Sequence, residues 1–249
     1  MNHLLTMNRL YNVDLVVKWR GHFYKVEGLD ELLPGVTGIL GATIPKPWLA
    51  PWAAKEAANR IKSHLIEHAI NRPLTKQEII ELVETGRKEH EKKRDDAADV
   101  GTRAHQAIDA YIMGEKAEIT EDIRPAVEAF HKWQDEHPFR LVMGDTKVAS
   151  LEYKFGGSLD ILGETKEGLG IIDLKTSNQV SWDYALQVAA YAKAFEETFN
   201  HPIRWAMVLR VGKNEPIEFE ARPIKNLATA WDAFKHFKRS KELLQEDLI

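Results

Sequence analysis

Apolar residues recur every three to four positions through much of the first 140 residues. This spacing is typical of helices with one buried face. It predicts four helices, over residues 53–70, 75–98, 102–113 and 121–136. Thr75 and Glu78 have the spacing of a capping box at the start of the second helix. Gly101 is predicted to break the chain before the third helix, with Thr102 as its N-cap.

The segment before these helices has a shorter period. Apolar and polar residues alternate from Val13 to Arg20 and from His22 to Glu27, around Gly21. This pattern predicts a β-hairpin. A short apolar segment, Gly38 to Ala42, follows, and Thr37 is predicted to be its N-cap.

From residue 141 the period changes to two. Strands are predicted over residues 142–149, 151–155, 158–164, 170–175, 203–211 and 216–221. Helices are predicted over residues 182–199 and 224–244. Helices that precede a meander of strands, with a later helix that leads back to strands, predict an α/β fold with layers around a mixed sheet.

Composition and charge narrow the class of protein. The 249 residues suffice for one large core, so we expect one domain over residues 1–249. No apolar run is long enough for a membrane span, and no signal peptide is recognisable, so we expect a cytoplasmic protein. The formal charge of −4 excludes a protein that is basic over its whole surface, so any contact with DNA must be a local groove.

Three charged residues carry the strongest chemical signal. Asp173 and Lys175 are two apart on a predicted strand and so project to the same side, and Asp160 lies on the preceding strand. Two neighbouring carboxylates repel unless a cation lies between them. Magnesium prefers oxygen ligands, and a lysine beside them would place positive charge near a phosphate. A D-x-K pair alone is more often a solvated ion pair on an edge strand.

Further motifs occur around these residues in a fixed order. Gly101-Thr102-x-x-His105 comes first, then Gly157-x-x-Asp160, Asp173-x-Lys175 and Gln187-x-x-x-Tyr191. Together they resemble the PD-(D/E)XK nuclease superfamily, in its RecB-like exonuclease branch. The chain is similar there to the mitochondrial genome maintenance exonuclease and to phage and bacterial exonucleases. The lead-in of residues 34–40 and 45–53 resembles the same branch.

The resemblance implies a fold and a set of site residues. The fold is a three-layer mixed-sheet core over about residues 101–249, with a hairpin and helical elaboration over about residues 1–100. The metal ligands are His105, Asp160, Asp173 and the backbone carbonyl of Leu174. Lys175 orients or activates water. Gln187 and Tyr191 contact DNA and brace the active strand; four apart, they share one helical face.

The cofactor is expected to be Mg²⁺ or Mn²⁺. The imidazole of His105 would favour manganese, because imidazole is a better ligand for metals that are softer than magnesium. Many relatives of the RecB-like branch hold an iron–sulfur cluster with four cysteines. This chain contains no cysteine, so no such cluster is expected.

Other residues are candidates for DNA contacts. Trp48 and Trp52 lie among prolines and could stack on unpaired bases, although packing is the commoner role of such residues. Lys92 and Arg94 belong to a charged run that either lines a strand channel or faces solvent. Arg103, next to the His105 motif, either reaches a phosphate or faces solvent.

The expected function is that of a metal-dependent DNA exonuclease acting on single-stranded or frayed ends. A bacterial or phage origin is expected from the resemblance, as is a recombination or single-strand-binding partner. The alternatives are a structure-specific or restriction-type endonuclease and a catalytically silent DNA-binding subunit. His64-Leu65-Ile66-Glu67-His68 also fits the H-x-x-E-H pattern of zinc proteases, for which no third ligand is apparent.

Overall fold

A computed structural model describes residues 7–19, 21–69, 72–214, 216–244 and 246, except for the side chains of residues 68 and 69. The chain divides into two compact units. One combines Met1–Ile44 with Arg103–Ile249, and the other is Pro45–Thr102. Within the described ranges no helix combines the length and the hydrophobicity that crossing a membrane requires.

The first unit begins with a small antiparallel sheet. Strands β1 (Val13–Lys18) and β2 (Gly21–Val26) pair as a hairpin, which confirms that prediction. Strand β3 (Leu32–Pro34) pairs with β2 and was not predicted. Pro34 closes this strand because it has no N–H to continue the ladder.

Helix α1 (Val36–Thr43) follows directly, and the predicted N-cap at Thr37 is wrong. Gly35 occupies the N-cap with an extended backbone, and no side chain caps the helix. Thr37 lies inside the first turn, where its backbone is already helical. The helix therefore begins at Val36, whose side chain is buried together with that of Ile39.

A five-stranded mixed sheet forms the centre of the first unit. Its strands are, in chain and spatial order, β4 (Arg140–Ser150), β5 (Phe155–Thr165), β6 (Gly168–Lys175), β7 (Trp205–Val211) and β8 (Phe219–Pro223). Only the β6–β7 pair is parallel. A parallel pair needs a crossover connection, which here contains helix α5 (Asp183–Phe199).

Helices cover both faces of this sheet, which confirms the predicted three-layer α/β architecture. Ala206 and Val208 of β7 belong to a core shared with α5, α1 and helix α6 (Leu227–Leu243). The alternate residues Trp205 and Met207 line a cavity with Trp133, which belongs to helix α4 (Arg124–Glu136). Adjacent residues of a strand point to opposite faces, so β7 is buried from both sides.

One predicted strand is absent. Residues 151–155 were expected to be extended, but Leu151–Lys154 form a turn between β4 and β5. Lys154 has a φ of 51°, in the left-handed region that a strand cannot use. The Ser150 hydroxyl, at the end of β4, accepts the Tyr153 N–H of this turn at 3.0 Å.

The predicted break at Gly101 and Thr102 is also wrong. Helix α3 runs without interruption from Lys76 to Ile112. The Thr102 hydroxyl donates to the Ala98 carbonyl at 2.9 Å instead of capping a new helix. A glycine inside a helix costs about 1 kcal/mol relative to alanine, which the many hydrogen bonds of a long helix offset.

The start of α4 lies three residues later than predicted, because Pro125 falls in its first turn. Proline is tolerated there, since the first amide groups of a helix have no partner within it. The same reason lets helix α2 (Leu49–His64) begin before Pro51, four residues earlier than predicted. A π-helical turn, Leu65–Ala69, continues α2.

The second unit contains α2, this turn and the first part of α3. The predicted capping box is confirmed: Thr75 N–H donates to Glu78 Oε2 at 2.8 Å, and Glu78 N–H donates to Thr75 Oγ1 at 3.3 Å. Helix α2 contains no buried residue. Its contacts with α3 include ion pairs such as Lys93 with Glu56.

Candidate active site

The two predicted aspartates lie side by side on β5 and β6. These strands are antiparallel with Ile161 opposite Ile172, so Asp160 and Asp173 occupy the next position along the ladder. Asp160 Oδ2 accepts the Leu174 N–H at 2.7 Å, which ties one strand to the other at the site. Asp173 is 1% exposed, whereas the Asp160 side chain is partly open to solvent.

Lys175 completes this group from the same side of β6. Its ammonium contacts Asp173 Oδ2 and lies 5.1 Å from the ring centre of Tyr184. Burial alone would lower the pKa of Lys175, but the carboxylates of Asp173 and Asp160 more than offset this and raise it above the usual value. The side chain therefore carries a positive charge at neutral pH.

The carboxylates themselves are held under electrostatic strain. Burial raises the pKa of both Asp160 and Asp173 above the ordinary value, and Lys175 opposes the shift in each. The charge of Asp160 raises the pKa of Asp173 further. A buried carboxylate beside a partly buried one, both costly to ionise, is a setting that favours binding of a divalent cation.

His105 approaches the aspartates from α3. Its Nδ1 lies 3.9 Å from Asp160 Oδ1, which is too long for a hydrogen bond and near enough for one cation to contact both atoms. Burial, with a contribution from the charge of Lys175, lowers the pKa of His105 to about 4. The imidazole is therefore neutral at pH 7 and keeps a lone pair for a metal.

The donor set fits a divalent cation in its chemistry. It offers two carboxylates, a neutral imidazole and the backbone carbonyl that the resemblance assigns to Leu174. Within the described part of the chain, however, no three His, Asp or Glu side chains converge into a ready-made metal site. Lys175 and Gln187 contact the two carboxylate oxygens of Asp173.

Gln187 and Tyr191 brace the site from α5. Gln187 Nε2 donates to Tyr191 Oη at 2.8 Å and makes a long contact of 3.4 Å to Asp173 Oδ1. Tyr191 is buried, and burial raises its pKa well above the usual value, so its phenol stays protonated. This geometry supports the predicted bracing role, and a DNA contact by this pair stays a prediction.

Two glycines let aromatic rings lie against the strand that carries Asp160. A methyl group on Gly157 would lie 2.4 Å from Tyr191 Cε1, and one on Gly156 would lie 2.3 Å from Tyr24 Cγ. Tyr24 Oη and Ser158 Oγ share a hydrogen bond of 3.1 Å, which fixes the small sheet to β5.

Arg103 is not brought to the site. Its guanidinium pairs with Asp122 and donates to Thr120 Oγ1 at 2.9 Å. It is also two residues from His105, and residues two apart on a helix do not share a face. A phosphate contact by Arg103 would require this pairing with Asp122 to open.

The remaining DNA-contact candidates belong to the second unit. Trp48 is 59% exposed, and Trp52 packs edge-on against the ring of His90 at 6.2 Å. Lys92 is exposed, and Arg94 pairs with Asp95. Their roles in DNA binding stay predictions. The His68 side chain of the alternative zinc motif lies outside the described residues.

Sequence reasoning missed three residues that surround the site. Asp109 lies one helical turn after His105, and burial together with the charges of Asp160 and Asp145 raises its pKa to about 7. Tyr184 contacts Lys175, and Tyr24 reaches Ser158 from the small sheet. The four-residue spacing from His105 was a signal for Asp109; the two tyrosines could be found only from the fold.

A family model described as the PD-(D/E)XK nuclease superfamily matches residues 60–246. This span is about three quarters of the 249 residues and includes every residue of the site except Tyr24. No curated protein matches the chain.

Several solved structures resemble parts of the chain. They include a proposed exonuclease from Eubacterium rectale, at 10% identity over 59% of this chain and 69% of that one, with a TM-score of 0.41. The protein SSO0001 has 14% identity over 50% and 61%, with a TM-score of 0.33. An alkaline exonuclease from Laribacter hongkongensis has 15% identity over 59% and 88%, with a TM-score of 0.31.

Proposed function

The chain belongs to the PD-(D/E)XK nuclease superfamily, and on that basis we propose that it is a divalent-metal-dependent DNA exonuclease of the RecB-like branch. The observation that carries the proposal is the group formed by Asp160, Asp173 and Lys175 on two paired strands, with His105 beside it. Membership makes the chain a nuclease that hydrolyses phosphodiester bonds. The exonuclease mode, the branch and the identity of the ion are proposed.

The proposed cation site consists of His105, Asp160, Asp173 and the backbone carbonyl of Leu174. When bound there, Mg²⁺ or Mn²⁺ would supply Lewis-acid charge beside the phosphate and make the attacking water more acidic. The neutral state of His105 and the partial exposure of Asp160 support this assignment. Asp173 would exchange part of its contact with Lys175 for the cation.

Lys175 acts on the phosphate and on the water. Its ammonium, held by Asp173, orients the water and stabilises the negative charge that develops on the phosphate oxygens. The water oxygen forms a bond to phosphorus while the bond from phosphorus to the 3′ oxygen breaks. The water gives up a proton to solvent and the 3′ oxygen takes one, which leaves a 3′ hydroxyl and a 5′ phosphate.

We propose that residues 1–249 form one nuclease domain, with about residues 1–100 as the elaboration and about residues 101–249 as the core. Trp48, Trp52, Lys92 and Arg94 are proposed to contact DNA outside the site. The exposed ring of Trp48 and the exposed side chain of Lys92 support this assignment. A recombination or single-strand-binding protein is proposed to supply the DNA ends.

The test is digestion of end-labelled linear DNA, single-stranded and duplex, beside a covalently closed circle, in Mg²⁺, Mn²⁺ or EDTA. We expect metal-dependent shortening from the ends and a resistant circle. Asp173→Ala should abolish it, whereas Asp30→Ala, an exposed aspartate of the same unit, should not.

Two results would overturn parts of the proposal. Nicking of the circle would make the chain an endonuclease with the same chemistry. Binding of DNA without cleavage in either metal would leave the catalytically silent subunit as the function.

A further inference from the structure

A groove opens beside the site, between the two helices that cover one face of the large sheet. It has a volume of about 640 Å³ and is lined by residues of α5, β8 and α6. We call it the Trp182 groove and define it by Trp182, Leu186, Arg222, Lys225, Asn226 and Ala233. No residue of the site itself lines it.

The strand register places this groove close to the reacting centre. Asp173 pairs with Val208 on β7, and Val208 pairs with Arg222 on β8. Residues that are directly paired across a sheet point to the same face. Two strand spacings separate Asp173 from Arg222, which is roughly 10 Å. A DNA strand whose phosphate lies at the site can therefore reach the groove with its neighbouring nucleotides.

Trp182 is the main apolar surface of this groove. It lies at the N-cap of α5 and is 59% exposed, although one side of its ring rests on Phe237 with the ring centres 6.1 Å apart. Two residues later Tyr184 contacts Lys175. The groove and the site are thus connected through the first turn of a single helix.

The charge of the groove matches a nucleic acid. Among its described lining residues there is no aspartate or glutamate, while Arg222 and Lys225 are cationic. Arg222 donates to Glu220 at 2.6 Å, so part of its charge is already compensated within the protein. An aromatic ring beside cations is the arrangement that binds unpaired strands, since each base offers a face for stacking.

We infer that Trp182 stacks on a base of the unpaired strand that enters the site, with Lys225 on a phosphate of the same strand. This inference rests on the proposed function and adds to it two residues that hold the unpaired strand, Trp182 and Lys225. Duplex ends must then fray before they are cut. A groove that binds a paired helix would instead contact the backbone and the base edges, because the base faces are stacked inside the duplex.

The test compares Trp182→Ala with Trp182→Phe, and with Trp19→Ala as the matched control. Trp19 is 87% exposed but lies after β1 in the small sheet. Affinity for a fluorescent single-stranded oligonucleotide is measured in EDTA, so that the strand stays intact. We expect about tenfold or greater weakening for Trp182→Ala, the effect of losing one base stack. Trp182→Phe should retain most of the affinity, and the control should match the unmodified protein.

A set of oligonucleotides with one base removed at successive positions makes the test specific. At one position, removal of the base should weaken binding to the unmodified protein as much as Trp182→Ala weakens binding to the intact strand. The effects of that base removal and of Trp182→Ala on the binding free energy should not add when the two are combined. Equal affinities of all variants, or a flat response to base removal, would overturn the inference and leave the groove to a protein partner.

The two proposals can fail separately. If Trp182→Ala keeps both metal-dependent cleavage and its affinity for single strands, the inference about the groove is wrong and the proposed nuclease function stands. Conversely, a protein that cuts nothing yet loses single-strand affinity in Trp182→Ala would keep the groove and remove the nuclease.

Discussion

The two compact units of this protein differ in how they are held together. The unit that carries the candidate site has a continuous core around α5, and buried aromatic rings pack against β5, the strand of Asp160. In the described part of residues 45–102, Leu82 is the single buried hydrophobic side chain. Ion pairs between exposed groups, such as Arg87 with Glu84, accompany its helices. Such pairs contribute little to stability.

The difference in packing corresponds to a difference in how precisely each unit must position its side chains. Hydrolysis needs groups held within a fraction of an ångström, which only a well-packed core can supply. Contacts to a DNA backbone tolerate adjustment, because phosphate contacts act mainly through charge. Substitutions in the first unit should therefore remove catalysis, and substitutions in the helical unit should weaken binding by degrees.

The largest expected effect follows removal of the catalytic charge. Lys175→Met keeps the length of the side chain but removes its ammonium, and we expect kcat to fall at least about 10²- to 10³-fold. The variant leaves the buried carboxylate of Asp173 without its cation, so we expect it to fold with a lower free energy of unfolding. Single-turnover cleavage and circular dichroism check this. Lys154→Met, an exposed lysine of the same unit, should keep full activity.

Neutralising Asp160 should separate metal binding from folding. Because burial raises its pKa, the ionised form destabilises the folded protein above the ordinary aspartate pKa, and protonation on acidification relieves this. Asp160→Asn should thus raise the melting temperature in EDTA. It should also remove the stabilisation by Mg²⁺ or Mn²⁺, about 2.7 kcal/mol at 100 times Kd.

Calorimetry with and without metal measures both effects. Asp96→Asn, an exposed aspartate of the helical unit, should change neither. A loss of stability in EDTA for Asp160→Asn would contradict the electrostatic strain described for this site.

Gly157→Ala probes the brace. Its methyl group would meet Tyr191 at 2.4 Å, so either the ring or β5 must shift. Overpacking of this kind costs about 1–3 kcal/mol. We expect a lower free energy of unfolding together with slower cleavage. Gly38→Ala in α1, which meets no atom within 4 Å, should be stabilising or neutral. Similar denaturation midpoints for the two variants would refute the brace.

A moderate effect is expected from the helical unit. Trp48→Ala should weaken DNA binding by up to about tenfold without changing kcat, if its exposed ring stacks on a base. Lys92→Gln and Arg94→Gln should each reduce the slope of log Kd against log salt by about one. Anisotropy titrations at several salt concentrations test this. A fall in kcat would show that the helical unit also affects the chemical step and not DNA binding alone.

The smallest effect concerns the capping box. Thr75→Ala removes the oxygen that accepts the Glu78 N–H, which typically costs about 1 kcal/mol. Hydrogen exchange should quicken in the first turn of α3 and stay unchanged in β5 and β6. Faster exchange at the strands would mean that the two units do not behave differently.

The sequence predicted the site where its chemistry is local. Asp173 and Lys175 are two apart on one strand, and Gln187 and Tyr191 are one helical turn apart, so spacing alone places each pair. Tyr24 and Ser158 are far apart in the chain, and no period connects them. Contacts of that kind arise from how the small sheet packs on β5.

The errors in the fold share one cause. Gly101, Thr102 and Thr37 were interpreted from intrinsic preferences, which amount to about 1 kcal/mol or less per residue. Continuity of α3 and early burial of Val36 outweigh these preferences. The turn at Lys154 was missed for a related reason: the alternating pattern predicts a strand and contains no signal for a left-handed backbone conformation.

The glycines of β5 constrain how this protein can change through evolution. Gly157 accommodates the ring of Tyr191, and Gly156 accommodates that of Tyr24. The residue that is tolerated at one position of each pair therefore depends on the residue at the other. A lineage can enlarge one member only after the other has become smaller, so both intermediates lose fitness. Related sequences should therefore vary at residues 157 and 191 together, and at residues 156 and 24 together, or not at all.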